Sequence, residues 1–130
     1  QERRGDFWQT VEEPLDLVSA LREVSSAKSA VLVDCLTLWL SNLMTLSRDI
    51  EHETASLTTS FPSLTGPIIF VTNEVGLGIV PANDLARAFR DHAGRLNQTI
   101  AAKADHVTMM ISGLPMTLKN EFENERTPRV

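Results

Sequence analysis

Two acidic side chains stand where carboxylates often do chemistry in α/β proteins. Asp34 lies at the end of the apolar run 30–35 (AVLVDC), and Glu74 follows a second apolar run, 67–72 (PIIFVT). An acid that closes an apolar strand is the Walker B pattern, in which the carboxylate binds Mg²⁺ on the phosphates of a nucleotide. Many strands end in aspartate, so the pattern alone leaves a structural role for Asp34 open.

The loop after the second run gives weaker signals. Gly76 and Gly78 form a GxG pair, but the third glycine of the dinucleotide fingerprint is absent and Pro81 interrupts the approach to the helix. We therefore predict that the glycines allow a tight loop. Asn73 and Glu74 fit a turn as well as a site, and the presence of carboxylates at two strand ends favours a site.

The helix that follows carries arginine and aspartate at helical spacing. Arg87, Asp91 and Arg95 lie four residues apart, where they can form ion pairs on a solvated face without any functional role. Asn97 and Gln98 fit the same exposed surface. The three histidines are too scattered along the sequence to indicate a metal site.

A site built from these side chains needs a sheet in which the strands that carry them end at the same edge. Apolar runs predict strands over residues 30–35, 67–72 and 106–111, with a short final strand over 116–119. Helical spacing predicts helices that begin at Pro14, cover 36–46 and part of 47–66, and extend from Leu85 to Val107. Apolar strands separated by helices predict an α/β fold, with a mostly parallel sheet and helices on both faces. Ligands bind such sheets at the carboxyl ends of the strands.

Length and composition limit the classes of protein. The 130 residues predict a single α/β domain over 1–120 and a charged, disordered tail over 121–130. A net charge of -5 argues against non-specific binding to nucleic acid. No apolar run approaches the roughly 20 residues of a membrane span. Cys35 is the only cysteine, which predicts a reducing, cytoplasmic location.

In combination, the motifs are far more specific than any one of them. Residues 72–98 (TNEVGLGIVPANDLARAFRDHAGRLNQ) resemble the signature of the bifunctional adenosylcobinamide kinase / adenosylcobinamide-phosphate guanylyltransferase family of cobalamin biosynthesis. Residues 31–44 (VLVDCLTLWLSNLM) resemble the strand and helix of that family, and Trp8, Thr10 and Glu12 fit its W-x-T-x-E motif. The resemblance covers nearly the whole chain.

The resemblance implies a P-loop NTPase fold of the RecA-like type that is incomplete at its N-terminus. The phosphate-binding motif GxxxxGK[ST] does not occur in this sequence. In the family, this motif and a histidine that becomes guanylylated lie in a segment expected before Gln1, so we expect the chain alone to be inactive. The family also implies a trimer, with GTP, ATP and Mg²⁺ as cofactors and adenosylcobinamide as the substrate.

The family's two reactions imply roles for particular residues. ATP or GTP phosphorylates adenosylcobinamide, and GMP then passes from GTP to adenosylcobinamide phosphate through the histidine. Asp34 corresponds to the carboxylate on the metal side, and Glu74 is the catalytic candidate, with Arg87 or Arg90 beside it on the substrate side. Nucleotide contacts are expected at Gln1, Glu2, Arg3, Arg4 and Glu12.

Two other functions remain open at the level of the sequence. A non-catalytic interaction or scaffold domain could keep the same sheet without binding a nucleotide. An unrelated P-loop kinase would bind a nucleotide and Mg²⁺ without acting on adenosylcobinamide. Dependence of nucleotide binding on Asp34 separates the first alternative from the enzyme, and phosphorylation of adenosylcobinamide separates the second.

Overall fold

Two pairs of strands and five α-helices form the part of the chain that the computed structural model describes, residues 7–124. The elements follow in the order α1 Leu17–Val24, β1 Val31–Asp34, α2 Leu36–Thr45, α3 Ile50–Ser60, β2 Ile68–Val71, α4 Asp84–Lys103, β3 His106–Ile111, β4 Leu114–Asn120 and α5 Glu121–Asn124. A short 3-10 turn, Phe61–Ser63, continues α3.

The first two strands form a small parallel sheet. β1 and β2 pair from Val31 opposite Ile68 to Asp34 opposite Val71. Alternate residues pack against the helical core, namely Val31, Val33, Ile68 and Phe70. Their neighbours Leu32 and Ile69 are exposed. Within residues 7–124, the prediction of helices on both faces of the sheet is therefore confirmed for one face only. The other face also carries apolar side chains, which are exposed.

The other two strands form a separate hairpin, so within the described residues the predicted parallel pairing is confirmed for β1 and β2 only. β3 pairs with β4 in antiparallel fashion, and neither joins β1 or β2. Ser112 and Gly113 both have positive φ, 52° and 79°, as a two-residue hairpin turn requires. This turn folds the chain directly back, so β3 finds its partner in the next residues of the chain. The fold is mixed α/β, and its RecA-like type stays a prediction.

Side-chain caps decide where three of the helices begin. The Asp16 carboxylate accepts a hydrogen bond from the Ser19 amide at 3.3 Å, so α1 starts at Leu17 and not at Pro14. Asp49 caps α3 through the His52 amide at 2.9 Å, and Asn83 caps α4 through the Ala86 amide at 2.7 Å. Each cap satisfies an amide that has no partner within the first turn of its helix.

Helices α1 to α4 enclose the hydrophobic core on one side of the parallel sheet. Each helix contributes buried apolar side chains: Leu17 and Leu21 from α1, Leu36, Trp39, Leu40 and Leu43 from α2, Ile50 and Leu57 from α3, and Ala93, Leu96 and Ile100 from α4. The apolar stripe predicted for the long helix is confirmed in its middle, whereas Leu85 at its start is 72% exposed. The helix ends at Lys103, before Val107.

The β3–β4 hairpin is tied to the end of α4. Lys119 Nζ donates hydrogen bonds to the carbonyl oxygens of Ala101 and Ala102, at 3.3 and 3.2 Å. A cation at this end of a helix also interacts favourably with the helix dipole.

Glu121–Asn124 forms a short helix where the sequence predicts the start of a disordered tail, and residues 125–130 lie outside the described range. None of the helices described is long and apolar enough to cross a membrane.

Two leucines of α2 differ in burial, and we expect their replacement by alanine to affect stability to different extents. Leu40 is fully buried, whereas Leu38 is 61% exposed. Leu40→Ala should lower the free energy of unfolding by about 3 kcal/mol, because the deletion leaves a cavity in the core. Leu38→Ala should change it by less than about 0.5 kcal/mol. Urea denaturation of both variants measures the difference, and equal losses would contradict the assignment of the core.

Candidate active site

The carboxyl ends of the two parallel strands bring the predicted site residues to one edge of the sheet. Asp34, the last residue of β1, lies opposite Val71, the last residue of β2. Thr72, Asn73 and Glu74 therefore continue from the edge at which Asp34 ends its strand. This is the edge where α/β sheets place their ligands. The predicted convergence of two acid-bearing strand ends is confirmed for the backbone.

A chain of polar contacts fixes the segment that leaves β2. Thr72 Oγ1 donates to Asn97 Oδ1 on α4 at 2.7 Å, and Asn97 Nδ2 donates to the Asn73 carbonyl oxygen at 3.4 Å. On the other side, the Asn73 amide donates to Thr37 Oγ1 on α2 at 2.8 Å. The end of β2 is thus held between two helices, one residue before Glu74.

Glu74 lies in an open cleft of about 440 Å³ between this loop and α4. Its Oε1 accepts a hydrogen bond from the Gly76 amide at 2.9 Å, which orients the carboxylate. The loop lines the cleft with Glu74 and Gly76. The helix lines it with Arg90, Asp91, Gly94, Arg95, Asn97 and Gln98. Glu74 therefore faces a space that could take a ligand.

The two candidate arginines have different surroundings. Arg90 lines the cleft, and its only ion pair within the described residues is a long one, 3.3 Å from Nη2 to Asp91 Oδ1. Arg87 Nη1 instead donates to the carbonyl oxygens of Pro81 and Ala82, at 3.0 and 2.7 Å. Arg87 also pairs with Asp84. Arg87 thus fastens the loop to the start of α4, whereas Arg90 lines the open cleft, and a substrate contact of either arginine stays a prediction.

The predicted nucleotide contacts divide into three groups. Asp34 is exposed and has no ion pair with any residue of the described range 7–124. Glu12 is also exposed, on the segment before α1, and is not among the residues that line the cleft. Gln1, Glu2, Arg3 and Arg4 lie outside the described residues. The structure therefore places Asp34 at the edge of the sheet, and a contact of any of these residues with a nucleotide stays a prediction.

Asp34 offers a single exposed carboxylate to Mg²⁺, the ion that the sequence predicts at this strand end. Within residues 7–124 no cluster of three His, Cys, Asp or Glu side chains could hold a metal ion. Mg²⁺ does not need such a cluster, because it commonly takes one or two carboxylates and completes its shell with phosphate oxygens and water. Asp34 could supply one such carboxylate, and Mg²⁺ at this position stays a prediction.

Sequence reasoning missed the residues that hold the site together. Thr37, Thr72 and Asn97 act through contacts between distant segments, which residue spacing within one helix or strand does not reveal. One signal was available for Asn97. Asparagine is a poor helix former, so its position deep in a long helix indicates that its amide has a partner.

Comparisons with known proteins identify the family. The sequence profile of the family described as cobinamide kinase / cobinamide phosphate guanyltransferase matches residues 1–118. The bifunctional adenosylcobalamin biosynthesis protein CobP of Pseudomonas aeruginosa is 46% identical over 121 residues, which are 92% of this chain and 70% of that protein. The proteins named CobU of Salmonella typhimurium and Escherichia coli are each 34% identical over an alignment of 131 positions, gaps included, which covers 89% of this chain and 72% of theirs.

The fold and the site define a mixed α/β protein with a polar cleft at the carboxyl ends of two parallel strands. The profile match and the three relatives then assign the family. This chain belongs to the cobinamide kinase / cobinamide phosphate guanyltransferase family of cobalamin biosynthesis.

The role of Asn97 in holding the loop can be measured against its neighbour Gln98. Both residues lie on α4 and both gain helix propensity when changed to alanine, but only Asn97 bonds to the end of β2. Asn97→Ala should lower the free energy of unfolding by about 1 kcal/mol relative to Gln98→Ala, because Thr72 and Asn73 lose partners. Urea denaturation provides the comparison. Equal stability of the two variants would show that the contacts do not hold the loop.

Proposed function

We propose that this protein is a nucleotide-dependent transferase that catalyses two consecutive reactions, the second acting on the product of the first. It phosphorylates adenosylcobinamide, and it transfers GMP from GTP to the resulting adenosylcobinamide phosphate through a histidine–GMP intermediate. Family membership supports the substrate. The observation that carries the proposal is the common edge at which Asp34 and the Glu74 loop leave two paired parallel strands, beside an open polar cleft.

The nucleotide side of the site is assigned to Asp34. A bound Mg²⁺ would neutralise charge on the phosphate oxygens of ATP or GTP. Asp34 is the described residue that would hold it, directly or through water. The exposed position of Asp34 at the strand end allows a phosphate group to approach, and the absence of a competing cation among the described residues leaves the carboxylate available.

The acceptor side is assigned to Glu74 and Arg90. In the kinase step, the acceptor hydroxyl oxygen bonds to the γ-phosphorus of the nucleoside triphosphate. The bond between the γ-phosphorus and the bridging oxygen breaks, and the nucleoside diphosphate leaves. The hydroxyl proton passes to Glu74, whose carboxylate is already oriented by the Gly76 amide. Arg90 is placed in the same cleft to bind oxygen atoms of the acceptor.

In the guanylyl transfer, a histidine nitrogen bonds to the α-phosphorus of GTP and pyrophosphate leaves. A phosphate oxygen of adenosylcobinamide phosphate then displaces the histidine. The histidines of this sequence lie elsewhere, since His52, His92 and His106 are not among the residues that line the Glu74 cleft. We therefore assign none of them as the nucleophile. Trimeric assembly stays a prediction from the family, and a cytoplasmic location stays a prediction from the single cysteine.

Product analysis tests the proposal, with the protein as its natural gene encodes it. Incubation with adenosylcobinamide, ATP, GTP and Mg²⁺ should give adenosylcobinamide phosphate and then adenosylcobinamide-GDP, both measured by mass spectrometry. Asp34→Asn should lower the rate of both steps at least 100-fold and remove the effect of Mg²⁺ on nucleotide affinity, because the carboxylate charge is lost.

Asp105→Asn is the matched control, because it removes the same charge from an exposed loop between α4 and β3. It should leave both rates within about twofold. Nucleotide binding without either product would favour an unrelated P-loop kinase. Absence of both nucleotide binding and product would favour the scaffold alternative. Full activity of Asp34→Asn would show that the Walker B assignment is wrong.

A further inference from the structure

A glycine near the middle of the long helix α4 has no packing partner among residues 7–124 that would require it. Gly94 lies in α4, Asp84–Lys103. Glycine destabilises a helix interior more than any residue except proline. A Cβ atom built on Gly94 would meet no atom of the described residues within 4 Å, apart from the nearby helix backbone. Alanine would therefore fit sterically at this position and would stabilise the helix.

The open space above Gly94 is the cleft that contains Glu74. Residues three and four positions away on a helix share the face of the central residue. For Gly94 these are Arg90, Asp91, Asn97 and Gln98, and all four line the cleft. The cleft is thus centred on Gly94, whose bare backbone forms its floor.

The charges around this floor indicate which substrate lies there. Arg90 and Arg95 are offset by Glu74 and Asp91, so the lining is formally neutral. A nucleoside triphosphate carries several negative charges and needs a cationic site. Gln98 instead supplies an amide group that both donates and accepts hydrogen bonds. The Asn97 amide is bonded to Thr72 and Asn73, and its Oδ1 keeps a second lone pair that can accept from a ligand. Such a lining suits a large ligand whose edge carries neutral amides.

We propose that the cleft over Gly94 binds the corrin ring edge of the acceptor, with a ligand group in contact with the helix backbone where a Cβ atom would stand. This inference rests on the proposed function, because it takes a corrinoid as the acceptor. Corrinoids of the cobinamide type carry primary amides around the ring, which can pair with Asn97 Oδ1, Gln98 and the arginine donors. Gly94 is then a specificity-determining residue, kept at a cost in helix stability.

Substitution at Gly94 separates binding from stability. Gly94→Ala should raise Tm by roughly 2–6 °C, because alanine favours the helix. The same change should weaken the binding of adenosylcobinamide at least tenfold, and Gly94→Leu should weaken it further. The affinity for Mg²⁺–GTP should stay within twofold in both variants. Isothermal titration calorimetry on the protein as its natural gene encodes it measures both ligands.

Thr99→Ala is the matched control on the same helix. Position 99 lies about 140° around α4 from position 94 and is not among the residues that line the cleft. This variant also gains helix propensity, and it should bind both ligands as the native protein does.

Three results would overturn the inference. The first is a Gly94→Ala variant with raised Tm and native affinity for adenosylcobinamide, because the floor would then not contact the ligand. The second is a lowered Tm, because the glycine would then serve packing or assembly. The third is an equal loss of affinity for Mg²⁺–GTP. If the native protein itself binds no adenosylcobinamide, the proposed function fails as well. If the native protein binds it and Gly94→Ala binds it equally well, only the inference about Gly94 fails.

Discussion

The parallel pairing of β1 with β2 is the constraint on which the site depends. Because Asp34 and Val71 are paired at the ends of their strands, the segments that follow both strands leave from one edge of the sheet. The inward-facing residues of both strands pack against the helical core. The packing fixes the sheet, and the register of the pairing then determines which polar residues emerge together. A shift of one residue would exchange the buried and exposed faces of a strand.

Helix α4 connects this edge to the rest of the molecule. Its buried face, with Ala93, Leu96 and Ile100, packs into the core. Asn97 lies next to Leu96 in the sequence and reaches the end of β2. The same helix therefore supplies core packing, the clamp on the loop and one wall of the cleft. Such a wall is more rigid than one built from loops alone, which favours a defined position for a bound acceptor.

Most of the local structure and the family could be predicted from the sequence, but the partners of strands and side chains could not. The apolar runs predicted β1, β2 and β3, and the spacing from Phe89 to Ile100 predicted the buried face of α4. The short final strand predicted over 116–119 is confirmed within β4, but its antiparallel pairing with β3 was missed. The turn at Ser112 and Gly113 competes with parallel pairing, and an apolar strand pattern does not decide between the two. Arg87 and Arg90 look equivalent in the sequence, and only the folded loop shows that Arg87 is used to bind backbone carbonyl groups.

The central claim is that the acceptor binds between the Glu74 loop and α4. Hydrogen–deuterium exchange of the native protein, with and without saturating adenosylcobinamide, tests it most directly. We expect the substrate to slow amide exchange in residues 73–78 and 90–98, because both segments line the cleft. Slower exchange confined to the β3–β4 hairpin or to α3, with no change in those two segments, would contradict the account.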